Sequence, residues 1–280
     1  MLRKCRQRVK LWDRSRLSRD RRASPRRVAR CYTPPVQACA CRLVLFDIDG
    51  TLVSTGGRAG RALLQALEET YGVRPQAAGY AFAGKTDPQI IRELLSASGV
   101  AASTIEEYRE EALARYLAHL EDALAPGSAQ VLPGVRELLD ALVAHPQVTV
   151  GLLTGNVAKG AALKLRAAGL EGAFRFGAFG CDAEDRNLLV PIARARALQA
   201  TGIEFLGAQT VVVGDAEADI QCARAGGARS VAVATGGTPR AALAALKPDA
   251  LLDSLAQPHA LAAILDDHGG SAPTPHSSRV

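Results

Sequence analysis

Short, continuous apolar runs recur along the chain, each ending in a polar, glycine-containing turn. Residues 43–46 end at Asp47 and Gly50, 148–153 at Thr154-Gly155-Asn156, 210–213 at Gly214-Asp215, and 230–234 at Thr235-Gly236-Gly237. Runs without polar alternation are the pattern of strands buried on both faces. Helical patterns follow the turns, one over 157–168 closed by Gly169 as a C-cap and one over 187–200 closed by Gly202. Strand, polar turn and helix in repeated order predict a parallel α/β sheet covered on both sides, a Rossmann-like doubly wound core.

The stretch 55–133 reads differently. It carries helical spacing and no strand run. The clearest helix starts at a capping box, Ser103-x-x-Glu106, and sets Ile105, Tyr108, Ala112, Leu113, Tyr116, Leu117, Leu120 and Leu124 on one face. Leu63, Leu64 and Leu67 mark an earlier helix; Ile90, Ile91, Leu94 and Leu95 mark another. The expected organisation is a basic tail over 1–40, a core from 41–54 and 131–266, an all-helical cap over 55–130, and a Ser/Pro/Gly-rich tail over 267–280. Both tails are expected to be disordered.

Composition changes this picture in three places. Hydrophobic residues make up 48% of the chain and aromatics only 4%, so the core must be built from Ala, Leu and Val. No run of 18 apolar residues occurs, so no transmembrane helix is expected. The net charge of +6 is not global: residues 1–40 hold 13 Lys/Arg against Asp13 and Asp20, which leaves −5 for the remaining 240 residues. Such a tail fits a nucleic-acid or membrane contact, a transit peptide, or merely an extended start; the core itself gives no reason to expect nucleic acid or a membrane. Cys5, Cys31, Cys39, Cys41, Cys181 and Cys222 form no metal-spaced set, and no apolar leader follows the basic start, so free thiols in a reducing cytoplasm are expected, with organelle import if the tail is a transit peptide.

In an open parallel sheet, ligands bind at the carboxyl ends of the strands. There the sequence places Asp47-Ile48-Asp49-Gly50-Thr51, then Thr154-Gly155-Asn156, then a loop with Asp182, Glu184, Asp185 and Arg186, then Gly214-Asp215 and Asp219. A lone Asp after a strand is usually a turn or cap residue. Several carboxylates gathered together repel one another and must either take up protons or bind a cation, and a hard divalent ion such as magnesium suits oxygen ligands. Alternate strand residues point the same way, so Asp47 and Asp49 can share one phosphate.

Phe46-Asp47-Ile48-Asp49-Gly50-Thr51-Leu52 resembles the first motif of the haloacid dehalogenase superfamily. Leu152-Leu153-Thr154-Gly155-Asn156 resembles its second, and Val212-Val213-Gly214-Asp215-Ala216-Glu217-Ala218-Asp219 its fourth. The order and the intervals, 107 residues from Asp47 to Thr154 and 61 from there to Asp215, also fit. The resemblance implies that Asp47 is the nucleophile, that Asp49 is the general acid/base, and that Asp47, Asp215 and the Asp49 carbonyl hold Mg2+ with Asp219 in support. It further implies that Gly50, Thr51, Thr154, Gly155 and Asn156 frame the phosphoryl group.

The third motif departs from the family, which usually has a Lys before the helix after the third strand; Arg186 is expected to replace it, with Arg194 the second candidate. Lys85, in Gly84-Lys85-Thr86-Asp87-Pro88, is a candidate substrate contact from the cap, and Arg58 a weaker one. The expected activity is hydrolysis of a small phosphorylated metabolite, phosphoglycolate-like or sugar-phosphate-like, by a monomer or homodimer. A phosphonatase using Lys85 as a Schiff base, a phosphoglucomutase-like enzyme and a non-catalytic phosphate-binding protein stay open as alternatives.

Overall fold

The computed structural model describes residues 41–266. The apolar run at its start forms β1 (Arg42–Phe46), which leads through β2 (Val53–Ser54) into three helices, α1 (Arg58–Tyr71), α2 (Asp87–Ala97) and α3 (Ala102–Ala123). β3 (Gln130–Val131) returns the chain, and α4 (Val135–Ala144), β4 (Val148–Leu153), α5 (Ala158–Ala167), β5 (Gly177–Ala178) and α6 (Leu189–Thr201) follow. The remainder is β6 (Thr210–Gly214), α7 (Glu217–Ala225), β7 (Arg229–Val233), α8 (Arg240–Ala245), β8 (Ala250–Leu252) and α9 (Ala260–Leu265).

Six strands form a parallel sheet in the order β5-β4-β1-β6-β7-β8. The doubly wound reading of the sequence holds, and its cause is visible in β1. Leu43 and Leu45 face Leu189, Val190, Ala193 and Ala197 of α6, whereas Val44 and Phe46 face the cluster that holds Val135 and Leu139 of α4 and Ile264 of α9. A strand with helices on both sides has no polar face, which is why its sequence shows no alternation. The chain goes from β1 to β4 on one side and later to β6 on the other, so the winding reverses at β1. Ligand crevices open at the carboxyl end of such a switch point.

The three helices between β2 and β3 bury their apolar stripes on one another: Leu63, Ala66 and Leu67 of α1 against Ile105, Ala112 and Tyr116 of α3, with Ile91, Leu94 and Leu95 of α2 alongside. β2 and β3 pair antiparallel, Val53 with Val131, and tie the two ends of this insertion together. β3, the strand that falls within 55–133, is too short for periodicity to register, which is why that stretch reads as strand-free. α3 begins at Ala102 with Ala101 as its cap, so Ser103 lies inside the helix and the expected capping box does not form; the Ile105 amide bonds the Ala101 carbonyl and starts the helix early. Tyr108 is exposed and meets Tyr71 edge-on instead of joining the buried face. α5 is capped by Ala168, and Gly169 takes the left-handed φ of 65° one residue later. Cys181 and Cys222 are free thiols, as expected; Cys41 is disulfide-bonded, which is not. The tails expected over residues 1–40 and 267–280 lie outside the described residues. Among the described residues no helix is long and apolar enough to cross a membrane.

Gly134, just after β3, starts α4 with φ 79°, and a Cβ there would lie 2.2 Å from the Ala256 amide nitrogen. Gly134→Ala combines a left-handed backbone cost of about 1–2 kcal/mol with a backbone clash. Urea unfolding of the variant is expected to show a loss of at least about 2 kcal/mol.

Candidate active site

Each residue that follows a central strand turns into the same crevice. Asp47 follows β1, Thr154 follows β4, and Asp215 follows β6. Their burial is nearly complete, with Asp47 at 5%, Thr154 at 0% and Asp215 at 2% exposure. Carboxylate oxygens of Asp47, Asp215 and Asp219 all lie within 4.8 Å of one another. Arg186 stands between them: its Nη2 donates to Asp47 Oδ1 at 3.0 Å and to Asp219 Oδ1, and its Nη1 to the Gly84 carbonyl at 3.1 Å. Asp219 Oδ2 accepts the Ala216 amide at 3.0 Å, and Asp215 Oδ1 accepts the Thr51 hydroxyl at 3.1 Å. These bonds leave Asp47 Oδ2 and Asp215 Oδ2 for a cation.

Burial penalises this much negative charge. It pushes the Asp215 carboxyl up to about 8, with Asp47 and Asp219 adding repulsion. Burial likewise lifts Asp219 to about 7, against the pull of Arg186. For Arg186 burial opposes the charge, but Asp219 and Asp47 outweigh it and hold the guanidinium above its ordinary range. One arginine does not balance three carboxylates. Hard oxygen donors with too little positive charge among them fit a divalent cation such as magnesium. The backbone has made room for the cluster: a Cβ at Gly50, where φ is 82°, would come 2.5 Å from Asp215 Oδ2, and one at Gly236 within 1.6 Å of the same atom. Thr235 Oγ1 pins this turn by donating to the Gly50 carbonyl at 2.6 Å.

A second polar group forms around Asp49. Its Oδ2 accepts from Asn156 Nδ2 at 2.8 Å and from Lys164 Nζ at 2.5 Å, and Lys164 also donates to Asn156 Oδ1 at 2.5 Å. Asn156 Nδ2 reaches back to Thr154 Oγ1 at 2.8 Å. The Lys164 side chain is 4% exposed and that of Asp49 is 42% exposed, so the pair joins the protein interior to the open crevice. Nearby, Asp87 accepts the Val157 amide at 2.8 Å. Burial pushes Asp87 up to about 6, with Lys164 and the amide holding it down from a larger shift.

The structure brings together Asp47, Asp49, Gly50, Thr51, Thr154, Gly155, Asn156, Arg186, Asp215 and Asp219. Arg194 lies elsewhere, donating to Thr210 Oγ1 at 3.1 Å and to the Gly226 carbonyl. Arg58 donates to the carbonyls of Thr55 and Ser128 and braces the β2–β3 junction. Lys85 lines the crevice, but its ammonium is 2.5 Å from Glu93 Oε2 and 4.2 Å from the centre of the Tyr80 ring. Asp182, Glu184 and Asp185 are drawn away by Arg196, Arg92 and the Asn187 amide, so two strand ends deliver the buried carboxylates and not three.

Lys164 and Asp87 were missed. Lys164 had a signal: it continues the buried stripe of α5 from Val157 and Ala161 at helical spacing, where a lysine is out of place unless paired. Asp87 looked like an ordinary first-turn residue.

The fold and the crevice define a doubly wound α/β protein with a cluster of aspartates at its strand ends. The chain belongs to the haloacid dehalogenase-like hydrolase family, whose model matches residues 41–227. No curated protein sequence matches it. Among solved structures it is similar to a β-phosphoglucomutase from Clostridium difficile, with 19% identity, a TM-score of 0.60, and 78% of this chain and 92% of that one covered. A predicted phosphoglycolate phosphatase from Haemophilus somnus gives 20%, 0.58, and 78% and 96%. CbbY from Rhodobacter sphaeroides, solved with phosphate, gives 20%, 0.56, and 80% and 99%. At these identities the likeness is one of fold.

Asp87 provides a test of the electrostatics. Its folded-state pKa is raised from 3.8 to about 6, so the folded form keeps the proton longer than the unfolded form does. Ionising it costs stability as pH rises through that window, up to about 3 kcal/mol above pH 6. Asp87→Asn removes this cost. Its melting temperature relative to the parent is expected to rise from pH 4 to pH 6 and then level off. A difference independent of pH would contradict the assignment.

Proposed function

We propose that the protein is a magnesium-dependent phosphatase that hydrolyses a small phosphomonoester through an aspartyl-phosphate on Asp47. The observation that carries this is the division of labour at the end of β1. Asp47 is buried against Arg186 and beside Asp215, and Asp49, two residues on, reaches into the open crevice beside Lys164. The first carboxylate suits attack on phosphorus, and the second suits proton exchange with a leaving group and with water.

In the first step Asp47 attacks phosphorus, the ester P–O bond breaks, and Asp49 protonates the departing alcohol. In the second, Asp49 takes a proton from water as the water attacks phosphorus, and the bond to Asp47 breaks to release phosphate. Asp47, Asp215 and the Asp49 carbonyl, with Asp219 behind them, would hold magnesium, which would supply neutralisation of phosphoryl charge. Arg186 is a further source of positive charge; its Nε is buried without a hydrogen-bond partner, a donor not spent within the protein. Thr154 and Asn156 frame the oxygens from the neighbouring strand. Their place at a sheet edge whose turns are fixed by Gly50 and Gly155 favours this reading over a binding protein, because positioning is most of what phosphoryl transfer requires. The Schiff-base phosphonatase is disfavoured because the Lys85 ammonium is engaged by Glu93 at 2.5 Å and lies over the Tyr80 ring, and so is not presented free to a carbonyl.

Hydrolysis of an aryl phosphate tests this directly. Release of phosphate is expected only with magnesium present. Asp47→Asn is expected to abolish it, and Asp49→Asn to lower kcat by about 10²-fold or more. Activity that survives Asp47→Asn would remove the nucleophile from the account.

A further inference from the structure

The crevice continues from the strand ends into a cavity of about 470 Å3 whose far wall belongs to the inserted helices. That volume lies within the range of pockets that hold a whole small molecule, and it exceeds the need of a phosphoryl group on a two-carbon acid. The wall is made by Ala59, Leu63 and Leu64 of α1, by Phe82 and Ala83 before α2, and by Ile90 of α2.

Polar groups on that side are few and mostly engaged. Asp87 is turned to the Val157 amide, and Lys85 is neutralised by Glu93, whose oxygens also take bonds from Tyr80 and Gln89. Tyr116 is buried in the wall, and Arg61 stands exposed at the mouth, donating to the Gly56 carbonyl. A carboxylate or a row of hydroxyl groups entering this wall would lose water and gain too few partners in return. An apolar body would lose nothing and would bury surface favourably.

We propose that the leaving alcohol is mainly apolar, so that the substrates are phosphomonoesters of alkyl- or aryl-bearing alcohols and not of hydroxy acids or sugars. This rests on the phosphatase reading and narrows it. The phosphoryl group sits at Asp47 and Arg186, and the remainder of the molecule lies against Leu64, Phe82 and Ile90.

Acetyl phosphate, which asks little of the wall, reports the core chemistry by itself. Against it are set phosphoglycolate, glucose 6-phosphate and the n-alkyl phosphates from ethyl to hexyl. Along the alkyl series kcat/KM is expected to rise about three- to fourfold per methylene, the equivalent of about 0.8 kcal/mol for each one buried. Hexyl phosphate is expected to exceed phosphoglycolate and glucose 6-phosphate by about tenfold or more. Leu64→Asn and Phe82→Ser, each checked for folding by its melting curve, are expected to flatten the alkyl slope. Turnover of acetyl phosphate together with a flat alkyl series, a preference for either polar ester, or a slope unchanged in both variants would overturn the proposal and leave the phosphatase reading standing. Failure to turn over acetyl phosphate or any of the esters would overturn both.

Discussion

Three carboxylates share one buried space at the end of β1, and the rest of the structure answers to that repulsion. Asp47, Asp215 and Asp219 lie too close together, and too far from water, to carry their charges unaided. Arg186 is drawn into the interior to offset part of it, leaving one nitrogen without a partner. The repulsion that remains is relieved either by protons, as the upward shifts of Asp215 and Asp219 reflect, or by a bound cation. The Arg186 fork reaches Asp47, Asp219 and the Gly84 carbonyl together, which a single ammonium point charge does not match.

The sheet makes such crowding tolerable. Winding reverses at β1, so the ends of β4, β1 and β6 diverge around a crevice that no helix fills. Glycine lets the turns come closer than side chains allow. A Cβ at Gly155 would lie 2.0 Å from the Lys85 carbonyl, so the segment leading into α2 packs directly on the second turn. The Asp87 amide completes that contact by donating to the Gly155 carbonyl at 2.8 Å. The inserted helices are thus attached to the strand-end crevice through backbone, and their apolar side chains are free to line the cavity.

Much of this was legible in the sequence, for reasons that can be named. β1, β4, β6 and β7 contain continuous apolar runs without polar alternation, and double-sided burial leaves that signature. Asp47, Asp49, Thr154 and Asp215 are legible because each ends such a run. The two-residue strands β2, β3 and β5 carry no periodic signal; they exist because neighbouring backbone offers hydrogen bonds, which is a tertiary fact. Lys164 was hidden for a related reason. Its partner Asp49 lies 115 positions away, and only the packing of α5 against the β1 turn brings them together. The strand-end carboxylates at Asp182, Glu184 and Asp185 misled in the opposite direction: sequence placed them at the edge, but Arg196, Arg92 and a local turn claim them.

The central claim is that phosphate leaves by way of Asp47. Quenching the enzyme in acid during turnover of an aryl phosphate, reducing it with borohydride and mapping the peptides tests that claim most directly. An acyl phosphate on an aspartate is reduced to homoserine, and the account predicts that change at position 47, only when magnesium is present. Phosphate released in a single turnover with position 47 unmodified, or a phosphoryl group found on any other residue, would contradict it.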